Sequence, residues 1–311
     1  MSIIGGAGRV GSNTAYALQL GDACEDIVLV DVAAEAAEGE ALDLTHGRAA
    51  VGGPRVRAGG YEAVAGSDIV VVTAGLRRRP DESRLQLIER NAALFRQIVA
   101  SLRAVQLAPE GILLVVANPV DVLTYLAATE LGWAPRRAIG LGTVLDTLRF
   151  RSLLGEKLDL DPFHLEALIL GEHGDSMVPV FSGVRYEGEP ISRLAQYSEG
   201  VAREVFASTR KAGAECLRLK GGAGYAVGLA VREVVAAVLG DTREMLPVST
   251  LQPPGEFEGV AFSLPTSVGR AGVVQLMPID LSEDERRGLT KSAEVLREMA
   301  GSLGTGQQAR A

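Results

Sequence analysis

The stretch Leu168-Ile169-Leu170-Gly171-Glu172-His173-Gly174-Asp175-Ser176 has the form of an apolar strand that breaks at Gly171 and delivers one imidazole into a polar turn. Of the three histidines in the chain, His173 is the one flanked by glycines, Gly171 and Gly174. These let the backbone turn sharply and leave the ring room to face a ligand. Histidine titrates near neutrality, which suits a proton that must move in both directions. Three other segments carry reactive side chains. Asp146 and Arg149 stand three apart and share one face of a helix. Asn118 sits at the tip of an apolar strand, followed by Pro119-Val120-Asp121. Arg77-Arg78-Arg79-Pro80-Asp81-Glu82-Ser83-Arg84 is a basic loop that cannot extend a buried strand. Each has a plainer reading by itself: a hydrogen-bonded strand-end histidine, a local ion pair, an Asx-type turn, a solvated basic turn.

Near the start, Gly6-Ala7-Gly8-Arg9-Val10-Gly11 follows a short apolar strand and opens a helical pattern that runs to Leu20. This is the G-x-G-x-x-G spacing of a dinucleotide turn. Gly6 permits the tight turn, Gly8 lets the backbone approach a pyrophosphate, and Gly11 lets the helix pack on its strand. Asp31 ends the next strand, 20 residues after Gly11. A carboxylate there can accept from both ribose hydroxyls and repels a 2′-phosphate, so the expected cofactor is NAD rather than NADP. Ala74 and Gly75, at the end of a third strand, fall on the same side.

The elements that must position these residues alternate. Residues 27–30, 69–74, 112–117 and 138–141 read as strands, and 33–44 and 82–105 as helices, the second amphipathic through Leu85, Ile88, Leu94, Ile98, Val99 and Leu102. Successive β and α units with short links specify an α/β fold, a doubly wound parallel Rossmann sheet with ligands at the carboxyl ends of its strands. Beyond Leu141 helices predominate (144–154, 200–220, 224–239), broken by strands near 166–170, 248–251 and 259–264, and a charged helix over 282–303 with Ser282 as N-cap. The expected organisation is an NAD-binding domain over residues 1–141 and an α+β substrate-binding domain over 142–311, with 304–311 a disordered tail.

Composition bounds the reading. Hydrophobic residues make up 47% of the 311, yet no apolar run reaches the roughly 18–20 residues of a membrane span, and no secretory leader is evident. Two cysteines, Cys24 and Cys216, make neither a disulfide framework nor a metal cluster, so the expectation is a cytoplasmic protein without a metal site. A net charge of −8 argues against a general nucleic-acid binder.

Taken together, Gly6–Gly11, Asp31, Asp43-Leu44-Thr45-His46-Gly47, the loop ending in Arg84, Asn118-Pro119-Val120-Asp121, Leu145-Asp146-Thr147-Leu148-Arg149 and Gly171-Glu172-His173-Gly174-Asp175-Ser176 resemble the lactate/malate dehydrogenase family along essentially the whole chain. The resemblance implies that His173 is the proton donor and acceptor with Asp146 behind it. It also implies that Arg149 grips the substrate C1 carboxylate and that Arg84 polarises the reacting carbonyl once its loop closes. By the same resemblance Asn118 is expected to bind near that carbonyl and the nicotinamide ribose. Gly6, Gly8, Arg9, Val10, Gly11, Asp31, Ala74 and Gly75 are expected to form the cofactor side. A homo-oligomer, tetramer or dimer, is implied as well.

For the substrate, family members acting on lactate carry Gln six residues before the carbonyl-polarising arginine, and those acting on malate carry Arg; here that residue is Arg78. A distal carboxylate buried without a cation would cost several kcal/mol. Ala223 and Leu141 stand where lactate enzymes have Thr and Ser. Against this, Pro80-Asp81-Glu82-Ser83-Arg84-Leu85 is closer to the lactate-type loop, and Asp81 and Glu82 bring negative charge towards a dianion. The expectation is a lactate-dehydrogenase-like malate dehydrogenase acting on a small dicarboxylate, with an L-lactate or relaxed 2-hydroxyacid dehydrogenase as the alternative. Some bacterial relatives bind fructose 1,6-bisphosphate through an Arg and a His; Arg151 matches the first position, but Glu166 replaces the second, so no such activation is expected.

Overall fold

In the computed structural model, residues 1–77, 79 and 81–308 are described, with side chains through Leu303. Six parallel strands, β1 (Ser2–Ile4), β2 (Asp26–Val30), β3 (Arg55–Ala58), β4 (Ile69–Val72), β5 (Ile112–Val115) and β6 (Ala138–Gly140), lie in the order β3-β2-β1-β4-β5-β6. This is the doubly wound arrangement, and its direction of winding reverses between β1 and β4. The strands β4 (IVVV) and β5 (ILLV) are buried throughout, as expected for a sheet covered on both faces.

Because side chains alternate across a strand, each strand feeds two cores. Ile4, Val28, Val30, Val70, Val72, Leu113 and Val115 face one core, together with helices α3 (Arg84–Arg103) and α4 (Val120–Glu130). Ile3, Ile27, Leu29, Ile69, Val71, Ile112 and Leu114 face the other, and α1 (Arg9–Gln19) and α2 (Ala34–Val51) cover it. Each fully buried aliphatic side chain contributes about 1.5–3 kcal/mol relative to exposure, so the sheet is the rigid platform from which the loops at its carboxyl edge project. The remaining helices are α5 (Val144–Leu158), α6 (Glu199–Lys220), α7 (Tyr225–Leu239) and α8 (Glu283–Gln308).

Three readings of the sequence are corrected. The strands Ser249–Leu251 and Ala261–Ser263, expected within a separate second half, pair antiparallel beyond β6 and widen the main sheet to eight strands. The helix expected over 33–44 runs to Val51, carrying the Asp43–Gly47 motif inside it. The last helix continues to Gln308 instead of giving way to a tail at 304. Ser282 does cap that helix: its hydroxyl accepts from the amide of Glu285, whose carboxylate accepts from the amide of Ser282. No helix among the described residues is long and apolar enough to cross a membrane.

Candidate active site

The glycine-rich turn joins β1 to α1 under tight constraints. Gly5 takes the positive φ (86°) on which the turn depends, a role the sequence reading gave to Gly6. A Cβ on Gly11 would lie 2.2 Å from the carbonyl oxygen of Gly5, so this close approach of helix to strand admits glycine alone. Gly8 is the N-cap of α1, and no side chain among the described residues caps the helix, leaving its first amides to an anion. Arg9 and Val10 begin that helix. Asp31 follows β2; its Oδ2 accepts from the amide of Ala7 and its Oδ1 from that of Ala33, each at 3.1 Å, which fixes the carboxylate beside the turn. Thr73 ties the end of β4 to Ile4 and Gly5, setting Ala74 and Gly75 beside the same turn. An open cradle of helix amides with a carboxylate at the end of the second strand fits NAD.

The proton-handling residues come from two elements bonded to each other. Thr143, the residue before α5, donates from its hydroxyl to the carbonyl of Ile169, and Thr147 Oγ1 accepts the Ile169 amide at 3.0 Å. The first turn of α5 is thereby fastened to the short strand Ile169–Leu170. Asp146 lies in that turn and His173 in the bend that follows the strand. Their facing atoms, His173 Nδ1 and Asp146 Oδ2, are 2.5 Å apart. The Asp146 side chain is 1% exposed and the His173 ring 20%. Asp146 Oδ1 accepts from Arg149 Nη1 at 3.1 Å, one turn along the helix. Burial pushes the Asp146 carboxyl up, but the positive charge on His173 and Arg149 outweighs it and leaves the group below the usual carboxylate range. Burial likewise pulls His173 down, and the Asp146 carboxylate more than compensates, so the imidazole holds its proton above the ordinary histidine range.

His173 and Asn118 stand between two cavities. One, of about 310 Å³, is lined by Val10, Asn118, Leu141, Arg149, His173 and Ala223. The other, of about 250 Å³, is lined by Leu76, Arg84, Ile88, Asn118, His173 and Leu296. Asn118 precedes a cis peptide to Pro119, and its Oδ1 accepts from the amide of Val120 at 3.3 Å. The structure thus gathers Asn118, Asp146, Arg149 and His173 at one place.

Arg84 borders the second of these cavities but not the first. Its guanidinium is 58% exposed and lies 3.4 Å from Glu172 and 3.5 Å from Asp175, the acidic neighbours of His173 in the same bend. The loop leading to it is anchored by α3. Asn91 accepts the amide of Leu76 at 2.8 Å and donates to its carbonyl. Arg90 Nη1 lies 2.6 Å from Glu82 Oε1, and Glu82 Oε2 accepts from the Arg79 amide. Glu82 is therefore a paired, buried anchor, and the negative charge it was expected to direct at a substrate is compensated by Arg90. Asn91 was missed, although a signal existed: it occupies the apolar face of α3 between Ile88 and Phe95, where an amide needs a reason to be buried. Arg78 lies outside the described residues.

A cavity of about 710 Å³ lies against α5 and includes Arg151, Glu166, Glu187 and Glu233. Arg151 Nη2 already donates to the carbonyls of Pro162 and Phe163. The cavity also has Arg185, whose Nη1 donates to the carbonyl of Gly188, and His164, but Glu166, Glu187 and Glu233 beside Arg151 oppose a bis-phosphate there. Adding fructose 1,6-bisphosphate is expected to leave the rate unchanged, and saturable activation would overturn that expectation.

Comparison with known proteins agrees with this geometry. A family model described as lactate/malate dehydrogenase, NAD binding domain, matches residues 1–140, and one for the alpha/beta C-terminal domain of the same family matches 143–302. The L-lactate dehydrogenase of Synechococcus sp. (strain JA-3-3Ab) is 42% identical over 305 residues, covering 97% of this chain and 98% of the relative. That of Clostridium botulinum (strain Hall) is 41% identical over 303 residues, covering 96% and 94%. Among solved structures, a lactate dehydrogenase from a Medee basin deep-sea metagenome library superposes with a TM-score of 0.93 at 33% identity, covering 97% of this chain and 98% of that one. The minor L-lactate dehydrogenase of Enterococcus mundtii gives 0.92 at 34% identity, covering 97% of each. The expectation of a malate dehydrogenase is corrected by these relatives, which are named for lactate. It rested chiefly on the charge of one loop residue, Arg78, and a single cation does not fix the net charge or shape of a closed site.

Proposed function

This chain belongs to the lactate/malate dehydrogenase family, and from that premise we propose that it is an NAD-dependent L-lactate dehydrogenase interconverting pyruvate and L-lactate. The observation that carries the reading is the joined His173–Asp146–Arg149 group on the cleft, in a chain whose full-length relatives are lactate enzymes. NAD(H), when bound on the glycine-rich turn, supplies the hydride acceptor or donor for the substrate C2 carbon.

The protein's own part is binding and proton transfer. Arg149 pairs its guanidinium with the substrate carboxylate, and the fork geometry fixes both distance and orientation. Asp146 holds Nδ1 of His173, which leaves Nε2 as the atom that exchanges a proton with the substrate oxygen. In reduction, Nε2 protonates the carbonyl oxygen as it gains electrons; in oxidation, neutral His173 takes the hydroxyl proton. Asn118 borders the same cavity as a hydrogen-bond donor to that oxygen. Arg84 leaves Glu172 and Asp175 when its loop closes and places its charge against the carbonyl, where a water-poor site makes it effective.

The test is NADH oxidation with pyruvate and oxaloacetate side by side. The expected result is a kcat/KM for pyruvate at least about tenfold higher, a difference of roughly 1.4 kcal/mol in transition-state binding. A preference of that size for oxaloacetate would overturn the assignment while leaving the His173 chemistry in place.

A further inference from the structure

Ser292 is a buried hydroxyl that the chemistry described so far does not use. It is 0% exposed and lies in the stripe of α8 formed by Leu289, Ala293 and Leu296, where a polar group needs a partner. Thr290, two residues earlier, returns its hydroxyl to the carbonyl of Arg286 on its own helix. Ser292 reaches instead into the bend that carries His173. Its Oγ accepts from the main-chain amide of Glu172 at 2.7 Å and lies 3.2 Å from Ser176 Oγ. Ser176 Oγ is 2.5 Å from Glu172 Oε2, which also accepts from the Ser176 amide at 3.2 Å. Ser176 has one hydroxyl proton, and the carboxylate, which can only accept, takes it; across the gap to Ser292 the donor is therefore Ser292. A closed ring results, from the Glu172 amide through Ser292 and Ser176 to the Glu172 carboxylate, and the span it closes contains His173.

The two glycines that flank His173 are shaped by this ring. Gly171 takes a positive φ (83°), and a Cβ there would lie 2.7 Å from Ser292 Oγ. A Cβ on Gly174 would lie 2.6 Å from Glu172 Oε1. A side chain at either position would displace a member of the ring. With Oε2 held by Ser176, Oε1 of Glu172 is left facing Arg84 Nη2 at 3.4 Å. Leu296, one turn beyond Ser292, lines the cavity shared by Arg84 and His173, so α8 is a wall of the site as well as its brace. We propose that Ser292 is a positioning residue for the reaction at His173: from α8 it sets the bend that places the imidazole and orients the carboxylate against which Arg84 rests. Without its hydroxyl the buried Glu172 amide has no acceptor, and the bend must shift to find one. A displacement of about 1 Å at a proton-transfer atom can cost up to about 10²-fold in rate.

The inference rests on the proposed role of His173 but not on which 2-hydroxyacid is the substrate. Ser292→Ala removes the hydroxyl from a helix interior that favours alanine. Ser176→Ala opens the ring from its half-buried side and serves alone if the first variant does not fold. Ser292→Ala is expected to lower kcat for pyruvate reduction by about tenfold or more, and Ser176→Ala by about threefold or more, with the NADH dissociation constant, read by fluorescence, within about twofold. Combined, the two substitutions should lower kcat no further than the larger single effect, because each opens the same ring. A brace that served only the fold would lower the melting temperature and leave kcat per folded molecule unchanged. That result, or full additivity of the two losses, would overturn the proposal. Turnover of oxaloacetate in place of pyruvate by the unaltered protein would count against the substrate assignment instead, and the same ratios measured with oxaloacetate would still decide the role of Ser292.

Discussion

Replacing His173 by asparagine lowers kcat for pyruvate reduction by about 10²–10⁴-fold, the range expected when a general acid is lost. NADH affinity should stay within a few-fold, because the proposed dinucleotide turn, Gly5–Gly11 with Asp31, is held by hydrogen bonds that do not involve His173. Stopped-flow reduction of pyruvate together with a fluorescence titration of NADH separates the two effects. A variant that keeps full turnover would remove His173 from the chemistry. The pH profile follows from the same ionisation. Reduction requires the imidazolium, and the Asp146 carboxylate, working against burial, holds that proton above the usual histidine range. The rate of reduction is therefore full below the raised pKa and falls as pH rises through it. Lactate oxidation requires the neutral ring and falls as pH drops through the same value. Replacing Asp146 by asparagine removes the carboxylate that raises the pKa, so the alkaline limb of reduction should move to lower pH.

Much of this arrangement is legible in the residues, and the reasons are local. Strands β4 and β5 are unbroken runs of Ile, Val and Leu, which announce a sheet buried on both faces. Asn118, Asp146 and His173 can each be named from the chain because each follows a strand or opens a helix, and a doubly wound sheet sends such points to one edge. What is not legible is long-range. Strand β3 (RVRA) carries two arginines and reads as loop until it pairs at the edge with β2. The strands Ser249–Leu251 and Ala261–Ser263 look no different from strands of a separate domain; only pairing with β6 puts them in the main sheet. Glu82 seemed to threaten an anionic substrate because its partner, Arg90, lies eight residues on and meets it only when Ser83 starts the helix. Substrate choice is harder still. It is a difference of a few kcal/mol between two closed states, and the charge of Arg78 is one term in that difference. The relatives matched over 98% and 94% of their length are named for lactate, and the proposed substrate rests on them.

The exchange of Arg149 for lysine is the second large effect, and it separates charge from geometry. Lysine keeps the positive charge beside the cleft but offers a single ammonium in place of a planar fork. On the proposed reading the guanidinium does two tasks at once. Nη1 donates to Asp146 Oδ1 at 3.1 Å, and the remaining N–H groups are left for the substrate carboxylate, at a side chain only 14% exposed. An ammonium on a shorter reach cannot satisfy both, so either the substrate loses a hydrogen-bonded partner or Asp146 does. Losing one partner of such a buried charged pair costs about 2–5 kcal/mol, which is roughly 30- to 5,000-fold in kcat/KM. The loss should appear mainly in KM for pyruvate if the substrate is abandoned. If Asp146 is abandoned instead, its carboxylate holds the His173 ring less firmly, and kcat and the pH profile change together. Steady-state kinetics at several pH values distinguish the two. Turnover within about threefold of the unaltered enzyme would show that charge alone suffices and that the fork carries no binding role.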